Sequence, residues 1–242
     1  MSNEPATPTD LPVDPAYLAP NRFVDSDHPA VVAYAHEHGG GSHPGAQQAT
    51  TPREIAVALY YAVRDGFRYS PWGVRFEPEA FTASGVLLRD RSRGAHCVDK
   101  ANLLAACARA RGIPSRLHFA NVRNHLGTAR LEASLGTDLL VYHGYCELWL
   151  EGRWVAATPA FNRSLCERLG VAPLEFDGRE DSVFQEFDRA PGGFMEYVAD
   201  HGTHADIPVE AMVAAWRRHY PAITSAGWPE SSRGAAEVDE EG

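Results

Sequence analysis

A helix with both ends fixed by the sequence begins at Cys97 and sets the framework for the rest of the chain. From Cys97 the chain reads CVDKANLLAACARA, without glycine or proline, and Gly112 and Pro114 follow it. Gly112 can adopt the left-handed conformation that ends many helices, and Pro114 cannot continue one. A thiol in the first helical turn faces unpaired backbone N–H groups and the positive end of the helix dipole, which favour the thiolate. Cys97 is therefore predicted to be a nucleophile with a depressed pKa.

A hairpin that follows this helix supplies a histidine. His143 lies in a strand-like stretch, residues 139–150, which leads into the turn Glu151-Gly152 and a second strand over residues 153–159. A cysteine at the start of a helix, followed along the chain by a histidine in a strand, is the order found in papain-like thiol enzymes. Cys97 and His143 are therefore the predicted catalytic pair.

The register of this hairpin predicts a third residue. With a two-residue turn, Glu147 pairs with Ala156, and Tyr145 pairs with Thr158. Thr158 is then the diagonal neighbour of His143, about 7–8 Å away between backbones, within reach of an imidazole that leans toward its hydroxyl. The two side chains are expected on the same face of the hairpin.

Four spaced blocks of residues carry a resemblance to a known family. They are residues 97–104 (CVDKANLL), 109–116 (RARGIPSR), 143–150 (HGYCELWL) and 152–155 (GRWV). Together, over roughly residues 50–160, the chain resembles the transglutaminase-like superfamily, in particular its bacterial-type domain proteins. This resemblance implies an α+β fold with a papain-like core, in which the helix that bears the cysteine packs on an antiparallel β-sheet, with extra C-terminal helices.

The resemblance also implies a catalytic triad of Cys, His and Asp. Cys97 and His143 match the first two members, whereas Thr158, before Pro159, stands where the family usually carries Asp before Pro. A neutral third residue can still orient the imidazole, since papain-like proteases use Asn, and the Thr158 hydroxyl can accept a hydrogen bond from Nδ1–H. Asn162 is the alternative orienting residue. The predicted triad is thus Cys97, His143 and Thr158.

Two functions follow from these residues and stay open at this point. In the first, Cys97 attacks an amide or thioester carbonyl, His143 protonates the leaving amine, and the thioacyl enzyme passes its acyl group to water or to an amine. The backbone N–H of Cys97 is the predicted oxyanion donor, with Trp72 and Tyr69 as candidates for a second donor. The alternative is a catalytically degenerate module that binds a peptide or protein partner in the same cleft.

The composition of the chain limits the classes of partner that it is expected to bind. The net charge of -10 argues against a nucleic-acid or anionic-membrane surface, because both partners require a basic patch. The expected substrate is peptide-like or another amide, and no cofactor is expected. The start of the sequence lacks the charged and apolar regions of a signal peptide, no apolar stretch is long enough to span a bilayer, and a cytoplasmic location is predicted.

Cysteine and histidine usage gives no sign of a disulfide scaffold or a metal site. The chain has four cysteines, of which Cys107 and Cys146 are predicted to be small core residues. Residues 36–43 are expected to form a polar glycine loop, and residues 201–204 a loop before a helix, rather than metal sites. His96 is expected to be a solvated loop residue.

The chain is predicted to form one main domain. Residues 1–20 are expected to be a disordered N-terminal segment, residues 21–228 the catalytic domain with a C-terminal helical extension, and residues 229–242 a disordered acidic tail.

Three further elements are predicted within this domain. A capping box at Thr51 starts a helix that ends at Gly66, and residues 115–122 alternate as a strand. The third is a helix that stops at Pro221, with an apolar stripe predicted to be core rather than a cofactor site. The stripe consists of Val209, Met212, Val213, Trp216 and Tyr220.

Overall fold

The computed structural model describes residues 13–41, 49–72, 74–124, 129–183 and 195–226. Its helices are α1 (Pro29–His36), α2 (Pro52–Gly66), α3 (Ala83–Leu88), α4 (Cys97–Ala110), α5 (Ala129–Leu135), α6 (Arg163–Arg168), α7 (Val209–His219) and α8 (Pro221–Ala226). Its strands are β1 (Ser115–Asn124), β2 (Leu139–Leu150), β3 (Arg153–Ala157) and β4 (Met195–His204). The acidic tail and most of the N-terminal segment for which disorder is predicted lie outside the described residues.

The strands form one antiparallel sheet in the order β3-β2-β1-β4. Helix α4 lies against β2 and β1 and is buried along almost its whole length. The core between them is apolar, with Leu103, Leu104, Phe119 and Leu148 fully buried. The predicted α+β fold, with the cysteine helix packed on an antiparallel sheet, is confirmed.

Helix α4 ends as its sequence predicts. Gly112 has a φ of +73°, and its N–H donates to the carbonyl of Arg109 while the N–H of Ile113 donates to that of Ala108. This pair of hydrogen bonds is the Schellman motif, which uses the last carbonyls of a helix and requires a left-handed residue.

Helix α2 begins with the predicted capping box. The Thr51 hydroxyl accepts the N–H of Glu54 at 3.2 Å, and the Glu54 carboxylate accepts the N–H of Thr51 at 3.0 Å. Ile55 lies on the buried side of this helix, and the fully buried Arg64 lies there too, which the sequence did not predict.

The hairpin turn is also as predicted, but the pairing of β2 with β3 ends one residue before Thr158. Glu151 and Gly152 both have positive φ, which is the type I′ geometry of a two-residue hairpin. The register pairs Glu147 with Ala156 as expected and ends one residue later along β3. The predicted pair of Tyr145 with Thr158 is therefore wrong; the N–H of Thr158 donates instead to the carbonyl of Ser182.

In the C-terminal part, residues 201–204 lie in strand β4 rather than in the predicted loop. Helix α7 stops before Pro221, as predicted, and a further helix, α8, begins at that residue. No helix among the described residues has the length and apolar character needed to cross a bilayer.

Candidate active site

Cys97 is the first residue of α4, and a buried carboxylate fixes the chain around it. Asp99, only 3% exposed, accepts the backbone N–H of His96 at 3.2 Å and a hydrogen bond from Arg89 at 2.5 Å. His96 itself is buried, with Nε2 3.4 Å from the Asp99 carboxylate, so the expectation of a solvated histidine was wrong. Asp99 thus holds the start of the helix in one backbone conformation.

The Cys97 sulfur meets the edge of β2 beyond the end of β3. A type I′ turn closes with a hydrogen-bonded pair, and such pairs recur at every second residue. Gly144 is the next such position after the last pair of β3, Cys146 with Ala157. Its N–H and that of Val98 face the Cys97 sulfur and favour the thiolate. The early end of β3 thus frees a backbone donor for the thiol.

Burial dominates the protonation of the predicted pair. Although the N–H groups of Gly144 and Val98 favour the thiolate, burial raises the pKa of Cys97 to about 11. Burial also lowers the pKa of His143 to about 4. The prediction of a depressed thiol pKa is therefore wrong for this structure, because the cost of burying a charge exceeds the effect of the helix start. Burial thus favours the uncharged form of each group, a thiol and a neutral imidazole.

Cys97 and His143 line the same cleft, which is partly open to solvent; its volume is about 550 Å³ when that open space is included. The rest of the lining is almost entirely apolar and comes from the segment before α4, from β2 and from α5, α7 and α8. It includes Phe76, Leu131, Leu135, Trp216, Tyr220 and Ile223. The apolar stripe of α7, predicted to be core alone, therefore also forms a wall of the cleft.

Strand β2, which carries His143, has a bulge, and this bulge is bonded to the wall formed by the C-terminal helices. Tyr142 has a φ of +58°, and the register with β1 shifts here. The polar groups of Val141 are instead bonded from the C-terminal helices: its N–H donates to the Tyr220 hydroxyl, and its carbonyl accepts Nε1–H of Trp216 at 2.7 Å. The Tyr220 hydroxyl in turn donates to the carbonyl of Leu139 at 2.9 Å. No local sequence pattern predicts these bonds.

Thr158 and Asn162 lie close along the chain but differ in their bonding. Thr158 is buried, is not among the residues that line the cleft, and its hydroxyl makes no hydrogen bond to another described residue. Asn162 is engaged elsewhere: Oδ1 accepts the N–H of Tyr69 at 2.8 Å, and Nδ2 donates to Ser164 at 2.8 Å. Of the two predicted orienting residues, Thr158 is the one whose side chain makes no hydrogen bond to another described residue.

Sequence reasoning missed one buried residue beside the site. Lys100 is the only lysine of the chain and is completely buried one turn along α4 from Cys97. Its ammonium group donates to the carbonyls of Arg64 at 2.8 Å and Ala160 at 2.7 Å. Burial lowers the pKa of Lys100 to about 7. This lysine ties α4 to α2 and to the segment after Thr158.

Residues 42–159 match the family model for the transglutaminase-like superfamily. This similarity to a transglutaminase-like domain covers just under half of the chain. The match includes Cys97, His143 and Thr158, and it ends before α7 and α8. The helices that complete the cleft therefore lie outside the transglutaminase-like match.

One solved structure with a similar fold is that of a candidate cysteine protease from Cytophaga hutchinsonii. Its TM-score is 0.46 at 16% identity, over 81% of this chain and 48% of the other. This chain thus spans about half the length of that protein. No curated protein matched the sequence.

The described part of the chain contains no group of three or more His, Cys, Asp or Glu residues able to hold a metal ion. The two histidines of residues 201–204 bond within the protein instead. His201 Nε2 lies 2.8 Å from the side-chain oxygen of Asn121, and His204 Nε2 lies 3.0 Å from the His201 carbonyl.

Proposed function

We propose that this protein is a cysteine-dependent amide hydrolase or acyltransferase that acts through a thioacyl intermediate on Cys97. The observation that carries the proposal is the cleft in which Cys97, at a helix start, and His143, on the adjoining strand, both lie. A helix-start cysteine with a neighbouring histidine is the arrangement that activates a thiol nucleophile.

The reaction begins from the neutral pair. The thiol proton of Cys97 moves to the imidazole of His143 as the sulfur bonds to the carbonyl carbon of the substrate. This transfer creates two opposite charges together, and their mutual attraction offsets part of the cost of burying each one. The C–N bond then breaks, the proton passes from His143 to the leaving amine, and a thioester remains on the sulfur.

Water or an acceptor amine then completes the cycle. It attacks the thioester carbonyl, gives its proton to His143, and displaces the Cys97 sulfur, which recovers the proton from His143. The products are a carboxylic acid with water or a new amide with an amine.

We assign two donors to the oxyanion of the tetrahedral intermediate. The backbone N–H of Cys97 lies at the positive end of α4. The second donor is the phenol of Tyr69, which lines the cleft beside Cys97. Burial raises the pKa of Tyr69 well above its usual range, and the nearby Cys97 adds to this effect, so the phenol keeps its proton.

Thr158 is the proposed third member of the site and orients His143. Its hydroxyl is buried and makes no hydrogen bond to any other described residue, so it has the capacity to accept one from the imidazole. A neutral orienting group suffices because it sets the ring position rather than its charge.

Acylation by p-nitrophenyl acetate tests the proposal. The protein should release a burst of nitrophenolate and gain one acetyl group on Cys97, located by peptide mass mapping. Cys97→Ala should abolish the burst, whereas Cys166→Ala, which changes another free cysteine, should preserve it. A burst that survives Cys97→Ala would disprove the assignment of the nucleophile.

Tyr69→Phe examines the second oxyanion donor in the same assay. Because it removes one donor to the developing charge, it should slow acylation by about 100-fold. The thermal transition should stay close to that of the parent protein. An unchanged acylation rate would remove Tyr69 from the oxyanion site.

A further inference from the structure

The cleft beside Cys97 has a wall that offers a substrate almost no polar contact. None of the described residues that line it is Asp, Glu, Lys or Arg. Phe76, Leu135, Trp216 and Ile223 present ring and methyl surface to the space. A charged or amide group placed there would lose its hydration without a partner in the wall, which costs free energy.

The two polar atoms of the aromatic wall are already used by the protein. Trp216 Nε1 donates to the Val141 carbonyl, and the Tyr220 hydroxyl bonds both Val141 and Leu139. Both bonds point toward the backbone of β2. The rings therefore serve the cleft as apolar surface, and not as hydrogen-bond donors for a ligand.

The order of the reaction decides which part of a substrate this wall receives. In the proposed mechanism the leaving amine departs, and water or a new amine takes its place. The part of the site that holds the amine must therefore exchange with solvent. The acyl group stays on the Cys97 sulfur through both steps. A walled apolar space next to that sulfur suits the group that stays.

We propose that the cleft selects an apolar, preferably aromatic, acyl group and holds it against Phe76 and the wall formed by α7 and α8. This inference rests on the proposed function, because it assigns the acyl group that Cys97 carries. Specificity then arises from helices outside the transglutaminase-like match.

The test compares two esters with the same leaving group, p-nitrophenyl phenylacetate and p-nitrophenyl 4-carbamoylbutanoate. Each acylation rate is divided by the rate with N-acetylcysteine, which corrects for the reactivity of the ester. The corrected rate should favour phenylacetyl by at least about tenfold, the scale of discrimination by an apolar pocket.

A pair of matched variants locates this preference. Phe76→Ala, which opens the apolar wall, should lower the preference by about three- to tenfold. Leu88→Ala removes an apolar side chain that is 68% exposed and not part of the cleft lining, and it should leave the preference unchanged. An equal loss in both variants would overturn the proposal.

Binding to Cys97→Ala separates the pocket from the chemistry. By calorimetry, phenylacetamide should bind this variant at least about tenfold more tightly than glutaramide. Equal binding, or equal corrected acylation by the two esters, overturns the acyl pocket and leaves the proposed function intact. Failure of both esters to acylate Cys97 overturns the proposed function and, with it, the assignment of the pocket to an acyl group.

Discussion

The two sides of the cleft are stabilised in different ways. On the Cys97 side, buried polar groups fix the backbone: Asp99 caps the helix start, Lys100 bonds two carbonyls, and Asn162 holds the N–H of Tyr69. On the side of α7 and α8, aromatic rings pack together, and Trp216 and Tyr220 supply the bonds to β2.

This difference matches two different demands. A nucleophile and its oxyanion donors must be held in one geometry, and buried hydrogen bonds impose geometry because they are costly to break. A wall that receives an apolar group must match its shape and exclude water, and packed aromatic rings do both. The following predictions test the two sides of the cleft and the coupling between them.

Lys100→Met should have the largest effect. The methionine fills most of the space but leaves the carbonyls of Arg64 and Ala160 without their donor, so the free energy of unfolding should fall by about 2–4 kcal/mol. Urea denaturation measures this loss. Arg217→Met, on the exposed side of α7, is the matched control and should change the free energy of unfolding by less than about 0.5 kcal/mol. A similar small change for Lys100→Met would show that the polar anchor is dispensable.

Acid should destabilise the side of the cleft that holds Cys97 and His143. Burial lowers the pKa of His143 from 6.5 to about 4, so below pH 6.5 the unfolded chain takes up a proton that the folded chain resists. The free energy of unfolding should therefore fall as the pH drops from 6.5 to 4, by up to about 3 kcal/mol for this group. The measurement is the difference between the parent and His143→Gln over this range. A difference that does not vary with pH would contradict a buried, neutral His143.

Trp216→Phe should have a smaller effect and acts on the aromatic side. It keeps most of the ring packing but removes the donor to the Val141 carbonyl, at a cost of about 1–2 kcal/mol in the free energy of unfolding. Because that bond supports the β2 bulge near His143, the acylation rate should fall as well. Trp154→Phe, on a half-buried ring of β3 outside the cleft lining, is the control for both measurements. Equal effects of the two variants would show that the hydrogen bond from Trp216 to Val141 is not needed for stability or acylation.

Thr158→Val should give the smallest change in stability and separates stability from activity. The hydroxyl makes no hydrogen bond to another described residue, so a methyl group in its place should raise the free energy of unfolding by up to about 1 kcal/mol. If Thr158 orients His143, acylation should nevertheless slow by about tenfold, and Thr158→Asp should restore or raise it. Unchanged acylation by Thr158→Val would show that another group orients His143.

The features that the sequence predicts correctly are those fixed by residues close along the chain. The ends of α4 follow from Gly112 and its neighbours, and the hairpin register follows from a two-residue turn at Gly152. Cys97 and His143 reach one cleft because both lie on these elements.

The features that sequence reasoning missed depend on distant contacts. His96 is buried partly because Trp216 of α7 packs near it, with ring centroids 6.3 Å apart. His118 on β1 lies 3.3 Å from Glu147 and 2.7 Å from Asp200, each on a different strand, and no local sequence pattern predicts these contacts. The pKa of Cys97 depends on how completely these packed elements exclude water, which local sequence does not reveal.

The burial of Lys100 has a consequence for amine chemistry. As the only lysine in the sequence, it leaves the protein surface without any ε-amino group. An enzyme that transferred acyl groups to the lysines of other proteins would therefore present none of its own as an acceptor. Copies of this chain cannot be cross-linked to one another through lysine, and a lysine-bearing acceptor protein mixed with it would meet no competition from the enzyme itself.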